Sequence, residues 1–195
     1  MKLYYSPGAC SLADHIALHE AGMTFDLAQV DLKTHKLEDG RSYTEINPKG
    51  SVPALQFDDG EVLTENVAIL TYIADQNPAP VPRGPLGRHR LIEMLAFIGS
   101  EVHKPFHPLF VPQSTDAEKK QAGATVEKKL KHVAAKFEGP YLFGAQPTVA
   151  DDYLFVMLMW AAKMQLAVPD NLAAFSARMR ERPAVKLALT HEGLA

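Results

Sequence analysis

The stretch KLYYSPGACSLADHIALHEAG, Lys2 to Gly22, decides the fold. Lys2 to Ser6 is a short β-type run, and Pro7-Gly8 ends it. Ser11-Leu-Ala-Asp14 has the spacing of a capping box and opens a helix. Leu12, Ile16 and Ala17 share one face of that helix, and Gly22 stops it. Phe25 to Leu32 alternates as a second strand, so the opening is a β-α-β unit whose strands are parallel with a right-handed crossover. A polar stretch, His35 to Glu45, follows. Ala54 to Phe57 and Glu61 to Thr64 flank Asp58-Asp59-Gly60, which predicts an antiparallel hairpin. Glu65 to Gln76 sets Val67, Leu70, Ile73 and Ala74 along a helical stripe, completing a β-α-β-α-β-β-α order over residues 1–77.

Between Asn77 and Arg88 stand Pro78, Pro80, Pro82, Gly84, Pro85 and Gly87. No regular element tolerates that density of breakers, which places a linker at residues 78–87. From residue 88 to 195 the periodicity is helical throughout: Arg88 to Phe110, Asp116 to Phe137, Thr148 to Leu166, and shorter segments over Leu172 to Arg182 and Ala184 to Thr190. The chain of 195 residues is 47% hydrophobic, enough for real cores, and its formal charge of −3 gives no pull toward nucleic acid or anionic membrane. Cys10 is the sole cysteine, which excludes an intramolecular disulfide and fits a reducing cytoplasm. Pro7-Gly8 interrupts any export signal, and the most apolar window, Tyr153 to Val168, is shorter than a bilayer span and contains Lys163.

Cys10 falls between the first strand and the first helix, where unpaired N–H groups and the helix dipole favour a thiolate. A buried structural cysteine is the competing reading. Position 13, where a dithiol motif needs its second cysteine, holds Ala13, so any sulfur partner must come from outside; the abundant cytoplasmic thiol is glutathione. Val52-Pro53 precedes the third strand as a trans or a cis bond, and the cis form would turn the Val52 backbone outward toward an extended peptide. Thr64-Glu65-Asn66 opens the next helix; its free N–H groups suit a carboxylate and Glu65 an amine, although ordinary capping also accounts for them. Together these features suit a short peptide with a γ-glutamyl end.

Through MKLYYSPGACSLADHIAL, INPKGSVPAL, GEVLTENVAIL, EVHKPFHPLF and PTVADDYLF, in that order along nearly the whole chain, the sequence resembles bacterial beta-class glutathione S-transferases. The resemblance implies a thioredoxin-like N-terminal domain followed by an all-helical C-terminal domain that contributes the electrophile pocket. It also implies a cytoplasmic homodimer that conjugates reduced glutathione to small hydrophobic electrophiles, a detoxifying activity, in a cleft between the domains. It makes Cys10 the thiol that contacts glutathione, with Ser11 as polar helper and His103 lining the site near Cys10. Val52, followed by Pro53, would pair with the cysteinyl moiety. Glu65 and Asn66 would hold the γ-glutamyl end, and Lys104 is a secondary candidate. Thr148-Val-Ala-Asp151 is a helix-capping box, which makes Asp151 structural. Three departures stand out: His35, with Lys36 adjacent, replaces a lysine that reaches the glycyl carboxylate; Ala96 replaces an asparagine that reaches the partner subunit's glutathione; and the linker is shorter. Two other activities fit the same features, thiol–disulfide exchange through a Cys10–glutathione mixed disulfide and non-catalytic binding of apolar ligands.

His103 and His107 stand four apart, but Pro105 lies between them and no HExxH pattern is present, so no metal is expected. Lys119, Lys120, Lys128, Lys129, Lys131 and Lys136 share a helix with Glu118, Glu127 and Glu138 and read as a solvated face. Trp160, Met157, Met159 and Met164, crowded on one apolar helix, are expected mostly in the core.

Overall fold

The computed structural model describes residues 1–77 and 82–195, so the expected breakers Pro78 and Pro80 lie outside the described residues. The chain divides into two compact units: the described part of 1–79 together with Glu181–Ala195, and the described part of 80–180.

The first unit is built on β1 (Lys2–Tyr5), α1 (Leu12–Glu20), β2 (Asp26–Asp31), β3 (Lys36–Leu37), β4 (Ala54–Gln56), β5 (Val62–Thr64) and α2 (Asn66–Gln76). The sheet order is β3-β2-β1-β4-β5. β1 runs parallel to β2 with Leu3 opposite Leu27, and antiparallel to β4 with Leu3 opposite Leu55. The Asp58-Asp59-Gly60 turn closes the β4–β5 hairpin, pairing Ala54 with Thr64 and Gln56 with Val62. A central parallel strand has both faces covered, and Leu3, Tyr4 and Tyr5 of β1 are accordingly all buried. Tyr4, Val30, Leu37, Tyr43, Val52 and Ala54 form one of its cores.

Three local expectations differ. The polar stretch forms the short strand β3 and a single 3-10 turn, Tyr43–Glu45, instead of a helix. The Ser11–Asp14 capping box does not form: Ser11 adopts helical backbone angles, and its hydroxyl turns back to accept from the Ser6 N–H at 3.2 Å. The last helix, α8 (Pro183–His191), belongs to the first unit, where it packs on α1. Arg182, which caps α8, meets Glu20 of α1 through two 2.6 Å bonds, a bidentate pair that shape-matches guanidinium to carboxylate.

The second unit contains α3 (Gly87–Phe97), α4 (His107–Phe110), α5 (Asp116–Ala134), α6 (Val149–Lys163) and α7 (Asp170–Arg180). The expected helix from Arg88 to Phe110 is broken into α3, a π-helical turn at Ile98–His103, a 3-10 turn at Lys104–Phe106, and α4. Pro105 is the cause: it offers no N–H to the Glu101 carbonyl, and its ring would press on that carbonyl in a regular α-helix. In α5, Ala122, Val126, Leu130 and Val133 face inward, while Lys120, Lys128 and Lys131 are exposed, the solvated face the charges predicted. Every residue of α6 from Val149 to Leu158 is buried, so α6 is the hub of this unit. Its Thr148–Asp151 capping box is complete. No described helix is long and apolar enough to cross a membrane.

Candidate active site

The first unit gathers most of the predicted residues around the β1–α1 turn. The Cys10 thiol donates to the Val52 carbonyl at 3.3 Å. The Val52-Pro53 bond is cis. The segment ahead of it is anchored by Tyr43, whose hydroxyl donates to the Ser51 carbonyl at 2.8 Å, and by Asn47, whose amide donates to the same oxygen at 2.8 Å. Among the described residues the Val52 N–H has no partner, so an extended ligand finds one backbone donor ready there.

Cys10 retains some solvent access, yet burial, followed by the neighbouring Asp14 carboxyl, pushes its thiol up to about 12. Bonds from the Cys10 and Ser11 backbone amides pull in the opposite direction but do not prevail. The expectation of a stabilised thiolate at the helix end is thereby corrected: desolvation outweighs the helix terminus, and Cys10 is a protonated hydrogen-bond donor at neutral pH. Ser11 is corrected as well, because its side chain is wholly buried and bonded to Ser6, which makes it a positioning residue for the turn.

Asn66 opens α2 and is buried. Its amide donates to the Cys10 carbonyl at 2.9 Å and to Asp14 Oδ2 at 3.0 Å, so the side chain props the Cys10 turn and does not reach toward a ligand. Glu65 immediately before it has φ 75° and ψ 125°, a conformation a non-glycine residue holds only at a cost of about 1–3 kcal/mol. Its exposed carboxylate pairs with Lys49 Nζ at 2.6 Å, and Lys49 also reaches Thr64 Oγ1 at 2.9 Å. Lys49 went unnoticed in the sequence; its place in Asn47-Pro-Lys-Gly50, just ahead of Val52-Pro53, was the available signal. His35, at φ 53°, places Nδ1 3.1 Å from the Gly50 carbonyl. A Cβ on Gly50 would lie 2.9 Å from that ring, and Gly50 itself has φ +69°, so the position admits only glycine without rearrangement. Lys36 is exposed on β3.

In the second unit, His103 ends the π-helical turn, and its Nδ1 lies 2.6 Å from the Tyr153 hydroxyl. Burial pushes its pKa down to about 4, so the imidazole is neutral at physiological pH. An open cavity of about 970 Å³ is lined by His103, Lys104, His107, Pro108, Phe110 and Trp160, among others. Trp160 stands edge-on to His103 and Phe110, with ring centroids 4.9 Å away in each case. The expectation that Trp160, Met157, Met159 and Met164 are mostly core holds only for Met157, which is fully buried; Met159 and Met164 are half-buried, and Trp160 walls this cavity. Asp151 is fully buried, accepting from the Leu142 N–H at 2.8 Å and from the Thr148 N–H at 2.7 Å.

A thioredoxin-type mixed sheet with a cis-proline corner and a thiol on the Val52 carbonyl, followed along the chain by a helical unit with an aromatic cavity, defines the class of fold to which this chain belongs. Comparison with known proteins makes this specific. Residues 9–76 match the glutathione S-transferase N-terminal domain and residues 97–183 the glutathione S-transferase C-terminal domain. Glutathione S-transferase GstA of Escherichia coli O157:H7 is 48% identical over 202 residues, covering 100% of both chains. A bacterial beta-class glutathione S-transferase of Sphingomonas chungbukensis superposes with a TM-score of 0.93 at 50% identity, again over 100% of both chains. A sphingomonad glutathione S-transferase complexed with glutathione gives 0.92 at 47% identity with the same coverage. The chain belongs to the glutathione S-transferase family.

Proposed function

We propose that this chain conjugates reduced glutathione to small apolar electrophiles, with Cys10 acting as a hydrogen-bond donor. The observation that carries this reading is the bond from the protonated Cys10 thiol to the Val52 carbonyl. An extended cysteinyl backbone accepts from the Val52 N–H and donates to the Val52 carbonyl. That exchange releases the Cys10 S–H to donate to the incoming sulfur, favouring its thiolate form, the nucleophile of the conjugation. The α2 backbone amides take the γ-glutamyl carboxylate, and Glu65, turned outward by its unusual φ, takes the amine. His35 and Lys36 serve the glycyl end. The cavity at Trp160, Phe110 and His103 receives the electrophile, with Lys104 at its edge; the neutral His103 acts through hydrogen bonding and packing.

Thiol–disulfide exchange through Cys10 fits less well, because a thiol with so high a pKa is a weak nucleophile at neutral pH. Non-catalytic ligand binding would leave the Val52 pairing surface unused. The same family reading supports a reducing cytoplasm and a homodimer, and light scattering of the purified chain checks the dimer.

The test is the initial rate of glutathione conjugation to a chlorodinitrobenzene, with glutathione titrated. Saturable turnover that Cys10→Ser largely keeps and Cys10→Ala reduces is the expected result. Turnover that depends on a Cys10–glutathione mixed disulfide, or glutathione binding without turnover, would overturn it.

A further inference from the structure

The packing of α8 on α1 assembles three histidines that are far apart in sequence and lie outside the residues assigned to glutathione. His15 and His19 are four residues apart on α1 and therefore share a face. His191, the last residue of α8, completes the group. One ring nitrogen from each lies within 4.8 Å of the others. The ring centroids are 5.0 Å apart for His15 and His19, 5.5 Å for His15 and His191, and 5.4 Å for His19 and His191.

Three features separate this group from a chance cluster. His191 Nδ1 is 3.4 Å from His15 Nε2, close to the roughly 3.4 Å edge of a tetrahedron whose metal–nitrogen bonds are about 2.0–2.1 Å. The far side of His15 is held by Glu192: Nδ1 lies 2.9 Å from Oε1, and both side chains are fully buried. The Gly8 N–H in turn anchors Glu192 Oε2 at 2.9 Å. This carboxylate places the imidazole proton on Nδ1 and leaves the Nε2 lone pair facing His191, the arrangement that orients metal-binding histidines. Finally, His19 Nε2 is buried with no hydrogen-bond partner among the described residues, an unmet demand that a bound ion or its water answers. Phe25 closes one side, 4.9 Å from the His19 ring and 5.7 Å from that of His15, while His191 is exposed and leaves a route from solvent.

We propose that His15, His19 and His191 form a binding site for a divalent transition metal of the zinc class, with Glu192 orienting His15 and water completing the shell. Three imidazole ligands suit zinc and its neighbours and not calcium or magnesium. The ion would pin the C-terminal helix to α1, behind the turn that carries Cys10, so its consequence is on stability. The expectation of no metal rested on the pair His103 and His107 alone; His15 and His19 stand at the same spacing on α1, but the proposed third ligand lies 176 residues from His15, where sequence spacing gives no signal.

The test titrates Zn²⁺ against a chromogenic chelator, using the full chain in a Cys10→Ser background so that the thiol takes up none. Thermal midpoints are read in parallel. The expected result is one zinc per chain, a midpoint that rises with zinc, and loss of both in His191→Ala, whose exposed side chain can be removed without disturbing the core. His19→Ala should weaken uptake by at least about tenfold. Absence of stoichiometric uptake at about 100 µM zinc would overturn the site, as would His191→Ala and His19→Ala binding and stabilising like the parent.

Discussion

The Cys10 thiol donates to the Val52 carbonyl, 3.3 Å away. The thiol is held protonated by burial, with a pKa of about 12, so only on the order of one molecule in 10⁵ carries a thiolate at pH 7. Alkylation by iodoacetamide should therefore be slow at pH 7, and its rate should climb tenfold per pH unit through pH 9 with no plateau. A plateau near pH 7 would show the thiol to be ionised and would return Cys10 to a nucleophilic role. Glutathione that takes the Val52 carbonyl alters this pairing, so the alkylation rate should also change on saturation with the peptide.

Asn66 stabilises the site from behind. Its amide serves both the Cys10 carbonyl and Asp14, whose other oxygen, Oδ1, is buried without a partner among the described residues. Asn66→Leu removes both bonds and strands the remaining Asp14 oxygen, at a cost of about 2–4 kcal/mol. Urea unfolding should show a lower midpoint with an unchanged slope. Asn66→Asp should fare as badly, because it sets a second carboxyl against Asp14 and turns an acceptor toward the Cys10 carbonyl. Retention of full stability by both variants would remove Asn66 from the framework of the turn.

The sequence carried the elements that follow from local chemistry. The Asp58-Asp59-Gly60 hairpin and the Thr148–Asp151 cap form as their spacing predicts. What it concealed depends on distant partners. Ser11-Leu-Ala-Asp14 has the pattern of a capping box, but Asn66, 52 residues beyond Asp14, takes the carboxylate, and Ser11 is free to turn back to Ser6. The thiolate expected at Cys10 failed for a related reason: a helix terminus is visible in sequence, whereas the desolvation that defeats it is a property of the folded packing. Trp160 shared the apolar pattern of the α6 core residues, and only the break at Pro105 opens a cavity beside it.

Asp151 separates folding from chemistry. Its carboxyl satisfies the Leu142 N–H, the Thr148 N–H and the Thr148 hydroxyl, all in the interior. Asp151→Ala leaves three buried donors unmet and should cost about 2–4 kcal/mol. Chemical denaturation should register that loss, while kcat/KM per folded molecule stays at the parent value. A large fall in kcat/KM at unchanged stability would contradict the structural role.

His103 sets a pH dependence with a definite sign. Its folded pKa, about 4, lies below the ordinary histidine value of 6.5. Between those limits the unfolded chain binds the extra proton, so this residue's contribution to stability is present above pH 6.5 and is lost as pH falls toward 4. Nitrogen-resolved NMR of the imidazoles should find His103 unprotonated down to pH 5 and titrating near 4. A midpoint between 6 and 7 would make it a general acid or base in the working range, contrary to its neutral role here.

Trp160 should divide the two substrates kinetically. Its indole packs edge-on against His103, Phe106 and Phe110, and it faces the cavity of about 970 Å³. Trp160→Leu removes the broad aromatic wall while keeping an apolar side chain against Phe106, so the fold should persist. A flat aromatic electrophile then loses stacking and buried area worth about 1–3 kcal/mol, a roughly 10- to 100-fold rise in its KM. In the proposed reading glutathione binds through the Val52 edge and the α2 terminus, which belong to the other unit, so its KM should move by less than about twofold. Phe110→Ala, at a more exposed position of the same wall, should give a smaller effect in the same direction. An equal rise in both KM values would mean that Trp160 acts by holding the unit together, and the electrophile would have to be sought elsewhere.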